Sequence, residues 1–283
     1  MANPKRVLSI AGSDSGGGAG VQADLKAFAA CGVHGMTAIT AITAQNTVGV
    51  TAVHPIPPDI IIAQVRAVAQ DIGVDAVKIG MLGDVPTIEA VLAALGELPD
   101  NTPVVLDPVM VAESGAELLD PAARDTLIQL LLPRATVLTP NLPEARALVG
   151  KPGDGDVHTL ARSVHALGPD AVVVTGGHRE KAVDVFFDGE RVVELPGPRH
   201  PGAAAHGSGC THSSVLAARL ALGDDALSAA RVAKQLASQA VAHGLSEIGA
   251  GAGPVDILRI ASKPHETATS TGSGERDAGK VLT

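Results

Sequence analysis

The N-terminal segment decides the fold, because an apolar run there leads through a glycine-rich loop into an amphipathic helix. The run is VLSIAG (residues 7–12), the loop is SDSGGGAG (13–20), and the helical pattern covers Val21–Ala30. A short apolar run bounded by glycine predicts a buried strand, and the apolar spacing that follows predicts a helix packed against it. This strand–loop–helix unit indicates an α/β protein.

Strand-like and helix-like segments alternate along the rest of the chain. This alternation predicts a mostly parallel sheet with helices on both faces. The segments that we predict to be its strands are Arg6–Ala11, Thr37–Thr43, Ala76–Ile79, Val104–Asp107, Thr136–Leu138 and Ala171–Thr175. Val183–Asp188 and Arg191–Leu195, separated by Gly189-Glu190, predict an antiparallel hairpin at the sheet edge.

Small and polar residues follow each predicted parallel strand. Open parallel sheets bind ligands beyond the carboxyl ends of their strands, where the connecting loops meet. The residues at these positions are Gly12, Gln45-Asn46, Gly80-Met81, Asp107-Pro108-Val109, Pro140-Asn141 and Gly176-Gly177-His178. The sequence therefore predicts one cleft along one edge of the sheet.

A second glycine-rich corner, HGSGCT (206–211), leads into the apolar helical pattern VLAARL (215–220). Small residues let the backbone approach a ligand, and the free N–H groups at a helix start attract an anion, for which phosphate is the best candidate. The same field is expected to lower the pKa of the Cys210 thiol and make it a partly ionised base. The alternative is a simple loop and helix cap, with Cys210 as a small buried hydrophobic residue.

Motifs and charge exclude several classes of protein. The first glycine-rich segment lacks the Gly-Lys-Ser/Thr of a P-loop, and no acidic residue closes a second strand at the dinucleotide spacing. The formal charge of −9 argues against nucleic acid as a partner. We find no signal-peptide pattern and no apolar run of membrane length, and the two cysteines, Cys31 and Cys210, indicate a reducing compartment. We therefore expect a cytoplasmic protein with no membrane partner and no structural disulfide.

Length and composition fit one large α/β domain. The chain has 283 residues, of which 46% are hydrophobic and 18% charged, enough apolar surface for a sizeable core. After Ile260 the composition changes to Ser, Thr, Gly, Glu and Lys. We predict a single domain over residues 1–261 and a disordered tail over 262–283.

Seven separated segments identify a family. They are AGSDSGGGAGVQADLKAF (11–28), ITAQNTVGV (42–50), VKIGML (77–82), LDPVM (106–110), LTPNLPEA (138–145), GGH (176–178) and HGSGCT (206–211). In this order they resemble the hydroxymethylpyrimidine/phosphomethylpyrimidine kinases of thiamine biosynthesis, which belong to the ribokinase-like superfamily. The resemblance extends from Val7 to the GAGPV segment that ends at Val255. It implies a ribokinase-like three-layer sandwich.

The resemblance implies a substrate half of the cleft made of Gly12, Asp24, Gln45, Met81 and Val109. An aminopyrimidine has ring nitrogen acceptors and an amino donor, so a carboxamide and a carboxylate can pair with it while Met81 and Val109 cover its faces. Taken one by one, Asp24 could equally be a solvated helix acid, Gln45 a turn residue and Met81 core filler.

The resemblance also implies a nucleotide half that contains Asn141, Glu144, Thr175 and Gly177, with ATP as the phosphoryl donor. Magnesium is expected near Asp107 and Glu144, the latter acting through water, which suits a hard cation that keeps much of its hydration shell. Asn141 and Glu144 also have the spacing of a helix capping box, and both roles can hold together.

The implied chemistry is transfer of the γ-phosphoryl of ATP to the alcohol of 4-amino-5-hydroxymethyl-2-methylpyrimidine, and then to the monophosphate so formed. The backbone at Gly207, Ser208 and Gly209 would stabilise the charge of the transition state together with that of Cys210. Cys210 would accept the hydroxyl proton, in the place where sugar kinases of the superfamily use aspartate.

The chain departs from many relatives at Thr175, where they carry a lysine that neutralises phosphate. Threonine brings no charge. Lys78, Lys181 or Arg179 could compensate; otherwise the metal and the backbone N–H groups carry more of the load. Glu113 also stands where some relatives have lysine, in a loop that we expect at the rim of the cleft.

Other functions remain open from the sequence. A pyridoxine or pyridoxal kinase shares the fold, but Gln45, Met81 and the Gly-Ser-Gly-Cys corner favour the pyrimidine. A sugar kinase is disfavoured because Cys210 replaces aspartate. A non-catalytic pyrimidine-binding regulator is disfavoured by the presence of Asn141, Glu144 and Cys210. A homodimer is the expected assembly.

Overall fold

Nine strands form one sheet in the computed structural model, which describes residues 3–112, 115–150, 155–176 and 182–262. In chain order the strands are β1 (Arg6–Ser13), β2 (His34–Asn46), β3 (Gly49–Pro55), β4 (Ala76–Ile79), β5 (Val104–Leu106), β6 (Val137–Leu138), β7 (Val172–Val174), β8 (Ala182–Phe187) and β9 (Val192–Gly197). Their order across the sheet is β3-β2-β1-β4-β5-β6-β7-β8-β9. Across the sheet, β2, β1, β4, β5, β6 and β7 pair in parallel with one another. The antiparallel pairs are β3 with β2, β8 with β7, and β9 with β8.

The helices occupy the crossovers that parallel pairing requires. They are α1 (Gly20–Ala30), α2 (Pro58–Asp71), α3 (Val85–Leu95), α4 (Ala123–Thr126), α5 (Leu142–Val149), α6 (Val157–His165), α7 (Ser208–Leu222) and α8 (Ala226–Ala242). Aspartates at 84, 156 and 225 cap α3, α6 and α8 through their side chains, which accept from free amides of the first helical turn. The first helix, predicted over Val21–Ala30, is confirmed as α1, which begins one residue earlier, at Gly20.

The sheet buries both of its faces, because side chains alternate along each strand. Leu8 and Ile10 of β1 pack into one core with residues of α2, α3, α5 and α6. Val7 of the same strand packs into a second core with residues of α1, α7 and α8. The prediction of a mostly parallel sheet with helices on both faces is confirmed.

The predicted strands all occur, with differences at their ends, and the hairpin of β8 and β9 is confirmed. Sequence analysis missed β3. This strand pairs only with β2, and its residues from Thr51 to Pro55 are exposed. An exposed edge strand buries no side-chain face, so it leaves no apolar alternation in the sequence.

Two expectations concern the chain outside this core. Residues 263–283 lie beyond the described residues, so the disordered tail stays a prediction, although Ser262 ends a short helical turn (Ile260–Ser262). Among the described residues, no helix is both long and apolar enough to cross a membrane.

Candidate active site

A cavity of about 420 Å³ lies at the carboxyl ends of the parallel strands. The predicted site residues that line it are Gly12, Gln45, Met81, Asp107, Val109, Asn141, Glu144, Thr175, Gly207, Ser208, Gly209 and Cys210. Gly177 lies outside the described residues, as do Glu113, Arg179 and Lys181. A neighbouring cavity of about 470 Å³ shares Met81 with the first and contains none of the other predicted site residues. The predicted cleft therefore brings most of the candidate residues into one place.

The second glycine corner forms the start of α7. Gly207 has φ +81°, and a side chain there would overlap the carbonyl oxygen of Gly18. The Ser208 amide donates to the carbonyl of Ala205 at 3.0 Å, so it is already used. The amides of Gly209 and Cys210 belong to the first helical turn, which has no preceding helical carbonyls to accept from them. These two donors are available to an anion in the cavity, whereas the Ser208 amide is not.

The first glycine-rich loop is held by Asp14, which sequence analysis did not single out. Its carboxylate accepts from the amides of Gly16 (2.8 Å), Gly18 (3.1 Å) and Ala19 (2.8 Å). It also contacts Nε2 of His206 at 3.0 Å. Burial acts to raise the pKa of Asp14, but the hydrogen bonds from His206 and the amides outweigh it, so this pKa is lowered. Asp14 thus joins the first glycine-rich loop to His206 of the second, and both residues line the cavity.

A buried ion pair lies under the floor of the cavity. Lys78 Nζ contacts both carboxylate oxygens of Asp24, at 2.9 and 3.0 Å, and neither side chain is exposed. The hydroxyls of Ser9 and Ser214 donate to the same carboxylate at 2.6 and 2.7 Å. The expectation that Asp24 pairs with the pyrimidine needs correction: Asp24 does not line the cavity, because Lys78 and two serines already occupy its oxygens.

Lys78, one of the cations that could compensate for Thr175, lines the cavity floor while its ammonium remains on Asp24. Burial is the largest single effect and acts to lower the pKa of Lys78. Electrostatic interactions with Asp24, Cys210 and Asp107, together with the hydrogen bond to Asp24, outweigh it, so the pKa lies above its ordinary value. The lysine is therefore charged, and its field reaches Cys210 and Asp107.

The thiol of Cys210 does not have the lowered pKa that its place at a helix start predicts. Burial raises this pKa to about 12, and the positive charge of Lys78 only partly offsets the effect. Asp24 and Asp107 raise it further, while the amide of Gly20 bonds to the sulfur and lowers it. In the free protein Cys210 is therefore a neutral thiol, because desolvation exceeds the opposing effects of Lys78 and the Gly20 amide.

Two carboxyl groups, those of Asp107 and Glu144, line the cavity. Asp107 accepts from the hydroxyl of Ser213 at 3.0 Å, and burial raises its pKa above the ordinary range. Glu144 accepts from the amide of Asn141 at 2.9 Å. The Asn141 side chain accepts from the amide of Glu144 at 2.9 Å, so the capping box is confirmed. Burial, and then the charge of Asp107, raises the pKa of Glu144 to about 8.

The sequence profile of the family described as phosphomethylpyrimidine kinase matches residues 14–256. This span begins after Gly12 and includes the α7 start and the two carboxyl groups, Asp107 and Glu144. This chain belongs to the phosphomethylpyrimidine kinase family.

Individual relatives agree with this assignment. The hydroxymethylpyrimidine/phosphomethylpyrimidine kinase of Rhizobium meliloti is 50% identical over 254 residues, 88% of this chain and 95% of that protein. The phosphomethylpyrimidine kinase of Clostridium difficile superposes with a TM-score of 0.73 at 40% identity, covering 84% of this chain and 99% of that one. The ADP complex of Bacillus subtilis pyridoxal kinase gives 0.82 at 40% identity, covering 91% and 100%. The predicted family and the ribokinase-like fold are confirmed.

The cavity of this family member continues past Thr175 toward β8 and α8, where sequence analysis named no residue. Thr175 follows β7, and its amide donates to the carbonyl of Pro140 at 2.9 Å. Beyond it the wall contains Asp184, His212 and Lys234. Lys234 comes from α8 in the middle of a helical pattern, so the sequence offered no sign that it reaches a site.

Proposed function

We propose that this chain transfers the γ-phosphoryl group of ATP to the hydroxyl of 4-amino-5-hydroxymethyl-2-methylpyrimidine, and then to the monophosphate so formed, in the synthesis of thiamine diphosphate. One observation carries the proposal. The free amides of Gly209 and Cys210 face the same cavity as the paired carboxyl groups of Asp107 and Glu144. An anion site beside a site for a cation is what a phosphoryl group in transfer requires.

The pyrimidine end of the cavity is assigned to Gly12, Gln45, Met81 and Val109. A side chain at Gly12 would overlap the terminal methyl group of Met81, so this glycine makes room for the methionine beside the first strand. The carboxamide oxygen of Gln45 lies 3.2 Å from the hydroxyl of Thr43, whose single proton has the nearer acceptor in the carbonyl of Ser13 at 2.7 Å. The carboxamide carries both a donor NH₂ group and an acceptor oxygen, and either can pair with the polar edge of the pyrimidine.

Gln45→Ala is expected to raise the KM for the pyrimidine about tenfold while the KM for ATP stays within twofold, because one hydrogen bond to the ring is lost. Initial rates with each substrate varied in turn measure both constants. Gln70→Ala, an exposed glutamine of α2, is the matched control and should change neither. A raised KM for ATP with an unchanged KM for the pyrimidine would reverse the assignment of the two ends.

Magnesium fits two of the residues that line the cavity, Asp107 and Glu144. Asp107 and Glu144 are buried, burial raises the pKa of both, and the charge of Asp107 raises that of Glu144 further, which indicates a site short of positive charge. The described residues contain no cluster of three or more side chains suited to a metal. Two carboxylates with the remaining positions left for water and phosphate is the pattern that magnesium accepts. The cation would neutralise the triphosphate.

The magnesium requirement is expected to depend on pH through Glu144. With a pKa of about 8 this group is mostly protonated at pH 6.5 and mostly ionised at pH 8.5. Only the ionised form attracts a cation, so the magnesium concentration for half-maximal rate should fall by about tenfold or more as the pH rises over this range. Titrations of magnesium at fixed ATP and pyrimidine measure it.

Glu144→Gln should raise the magnesium concentration for half-maximal rate at pH 8.5. In this variant that concentration should change little between pH 6.5 and pH 8.5. Glu89→Gln, an exposed acid of α3, should behave as the wild type. Equal pH dependence in the wild type and in Glu144→Gln would show that another group governs metal binding.

Transfer in line requires the acceptor hydroxyl, the γ-phosphorus and the leaving oxygen to be aligned over the α7 N-terminus. The amides of Gly209 and Cys210 would stabilise the transferring oxygens. Cys210 would take the hydroxyl proton as the new P–O bond forms, and Lys78 below it would favour the resulting thiolate. Because the thiol is neutral in the free protein, this proton transfer must accompany substrate binding or the phosphoryl transfer itself.

Pyridoxal phosphorylation is the second candidate, because the pyridoxal kinase of Bacillus subtilis superposes more closely than the phosphomethylpyrimidine kinase of Clostridium difficile. ADP release with hydroxymethylpyrimidine, its monophosphate, pyridoxine and pyridoxal, measured side by side, decides between them. We expect both pyrimidines to be preferred over both pyridoxine compounds. Pyrimidine binding without ADP release would instead indicate a non-catalytic regulator.

We also infer a homodimer in the cytoplasm. The edge strand β3 leaves its outer backbone unpaired, and Ile42, Val48 and Val53 around it are at least half exposed. Both cysteines are free thiols, which suits a reducing compartment. Light scattering on the purified protein gives the assembly, and a monomeric mass would refute the dimer.

A further inference from the structure

His212 is a buried histidine of the cavity wall whose ring nitrogens form no hydrogen bond with the described residues. It lies on α7, it is 4% exposed, and it lines the cavity beyond Thr175. Neither ring nitrogen has a hydrogen-bond partner among the described residues. Burial, the largest effect, lowers the pKa of His212, so the ring is neutral and offers one donor and one acceptor.

Asp184 faces this ring from β8. Its Oδ2 lies 3.7 Å from Nε2 of His212, which is too long for a hydrogen bond. Its Oδ1 accepts from Lys234 at 2.7 Å and from the amide of Gly176 at 2.8 Å. Among the described residues Oδ2 receives no hydrogen bond, so it can act as an acceptor beside the histidine.

The charges of this cluster cancel. Lys234 is positive, Asp184 is negative and His212 is neutral. A phosphate placed here would meet a carboxylate without net attraction, whereas a neutral group that both donates and accepts would match the cluster. Vicinal sugar hydroxyls have this property. A hydroxyl can donate to Oδ2 of Asp184 or to the unprotonated ring nitrogen of His212, and a hydroxyl oxygen can accept from the ring N–H.

The cluster also lies toward the other edge of the sheet from the residues assigned to the pyrimidine. Asp184 is on β8, whereas Gly12, Gln45 and Met81 are on or next to β1, β2 and β4, with β5, β6 and β7 between them. The α7 start, where the transferred phosphoryl is placed, lies between the two ends and packs against β5 through Asp107. The donor nucleotide must therefore extend from α7 toward β8.

We propose that His212 and Asp184 bind the ribose hydroxyls of the donor nucleotide, with Lys234 as a positioning residue that holds the Asp184 carboxylate. This inference rests on the proposed function, since it assumes that a nucleotide occupies this end. It also explains the unpartnered ring nitrogens, because buried polar atoms without partners destabilise a protein unless a ligand uses them.

The test is calorimetric titration of the full chain with ADP, 2′-deoxy-ADP and 2′,3′-dideoxy-ADP. The wild type should bind ADP at least about tenfold more tightly than the dideoxy compound. His212→Leu should bind ADP about as weakly as the wild type binds dideoxy-ADP, and should no longer distinguish the two. Its Tm without nucleotide should exceed that of the wild type, because the unpartnered nitrogens are gone.

His165→Leu is the matched control. This half-buried histidine of α6 packs edge-on against Phe187, outside the cavity, and its loss should leave all three affinities within twofold. Asp184→Asn gives a second variant of nearly unchanged shape and should also lose the discrimination.

Equal affinity of the wild type for ADP and dideoxy-ADP overturns the ribose assignment, even where pyrimidine phosphorylation is intact. Discrimination that survives in both His212→Leu and Asp184→Asn overturns the residues. Loss of pyrimidine phosphorylation in a wild type that still discriminates would refute the proposed function and leave this inference standing. No ADP binding at all would refute both.

Discussion

Lys78→Met is expected to lower the free energy of unfolding by about 3–5 kcal/mol, because it leaves the carboxylate of Asp24 buried without its counter-charge. Both side chains are fully buried, and the ammonium contacts both carboxylate oxygens. The two serine hydroxyls that remain supply hydrogen bonds but no charge. Denaturant unfolding of the two proteins measures the difference.

Two variants separate charge from packing in this prediction. Lys78→Met combined with Asp24→Asn should recover a large part of the lost stability, because no uncompensated charge is left. Lys5→Met breaks the exposed ion pair with Asp75, whose nitrogen and oxygen are 3.6 Å apart, and should cost less than about 1 kcal/mol. A loss for Lys78→Met no larger than that for Lys5→Met would contradict the buried pair.

The same double variant tests whether Lys78 also serves the reaction. If the lysine stabilises a thiolate at Cys210, turnover should stay low even where stability has returned. Recovery of both together would assign Lys78 to stability alone, and the missing charge at Thr175 would then be supplied by the metal and the α7 amides.

Cys210→Ala is expected to reduce turnover by about two to four powers of ten, the usual contribution of general-base catalysis. The KM for the pyrimidine should stay within about twofold, because the thiol acts on the proton and not on the ring. Steady-state rates with saturating ATP and magnesium measure both.

Cys210→Asp should keep part of the activity, since a carboxylate can accept the same proton above Lys78. Cys31→Ala changes the other cysteine, at the end of α1 and outside the cavity, and should leave turnover unchanged. Wild-type turnover in a folded Cys210→Ala protein would make Cys210 a packing residue. The two free amides and the metal would then carry the catalysis.

The prediction for the thiol pKa was wrong for a physical reason that the sequence does not contain. The helix start is visible in HGSGCT, whereas the desolvation that raises the pKa of Cys210 is not. Desolvation depends on the parts of the chain that pack around the thiol. Two of the charges that act on the thiol, Asp24 and Asp107, come from distant parts of the chain.

The assignment of Asp24 to the pyrimidine, which the family resemblance implied, also failed because it depended on contacts between distant segments. The position of Asp24 on the first helix is compatible with a residue at the cavity wall, and only the packing of β4 and α7 against that helix shows which groups take its oxygens. The contact between Asp14 and His206 is a feature of the site that sequence analysis did not find. They are 192 residues apart, and their contact joins the two glycine-rich loops at the cavity wall, yet neither residue type at its own position signals the pair.

The sequence by itself determined the alternation of strands and helices, the edge of the sheet where the loops converge, the two glycine-rich corners and the Asn141–Glu144 cap. Each depends on local spacing or on backbone freedom, which neighbouring residues display. The tertiary structure alone decided which donors remain free at α7, how the charges around Lys78 pair, and that His212 and Asp184 meet in the cavity. These depend on burial and on contacts between distant segments, because a charge or a buried nitrogen has an energy only in its surroundings.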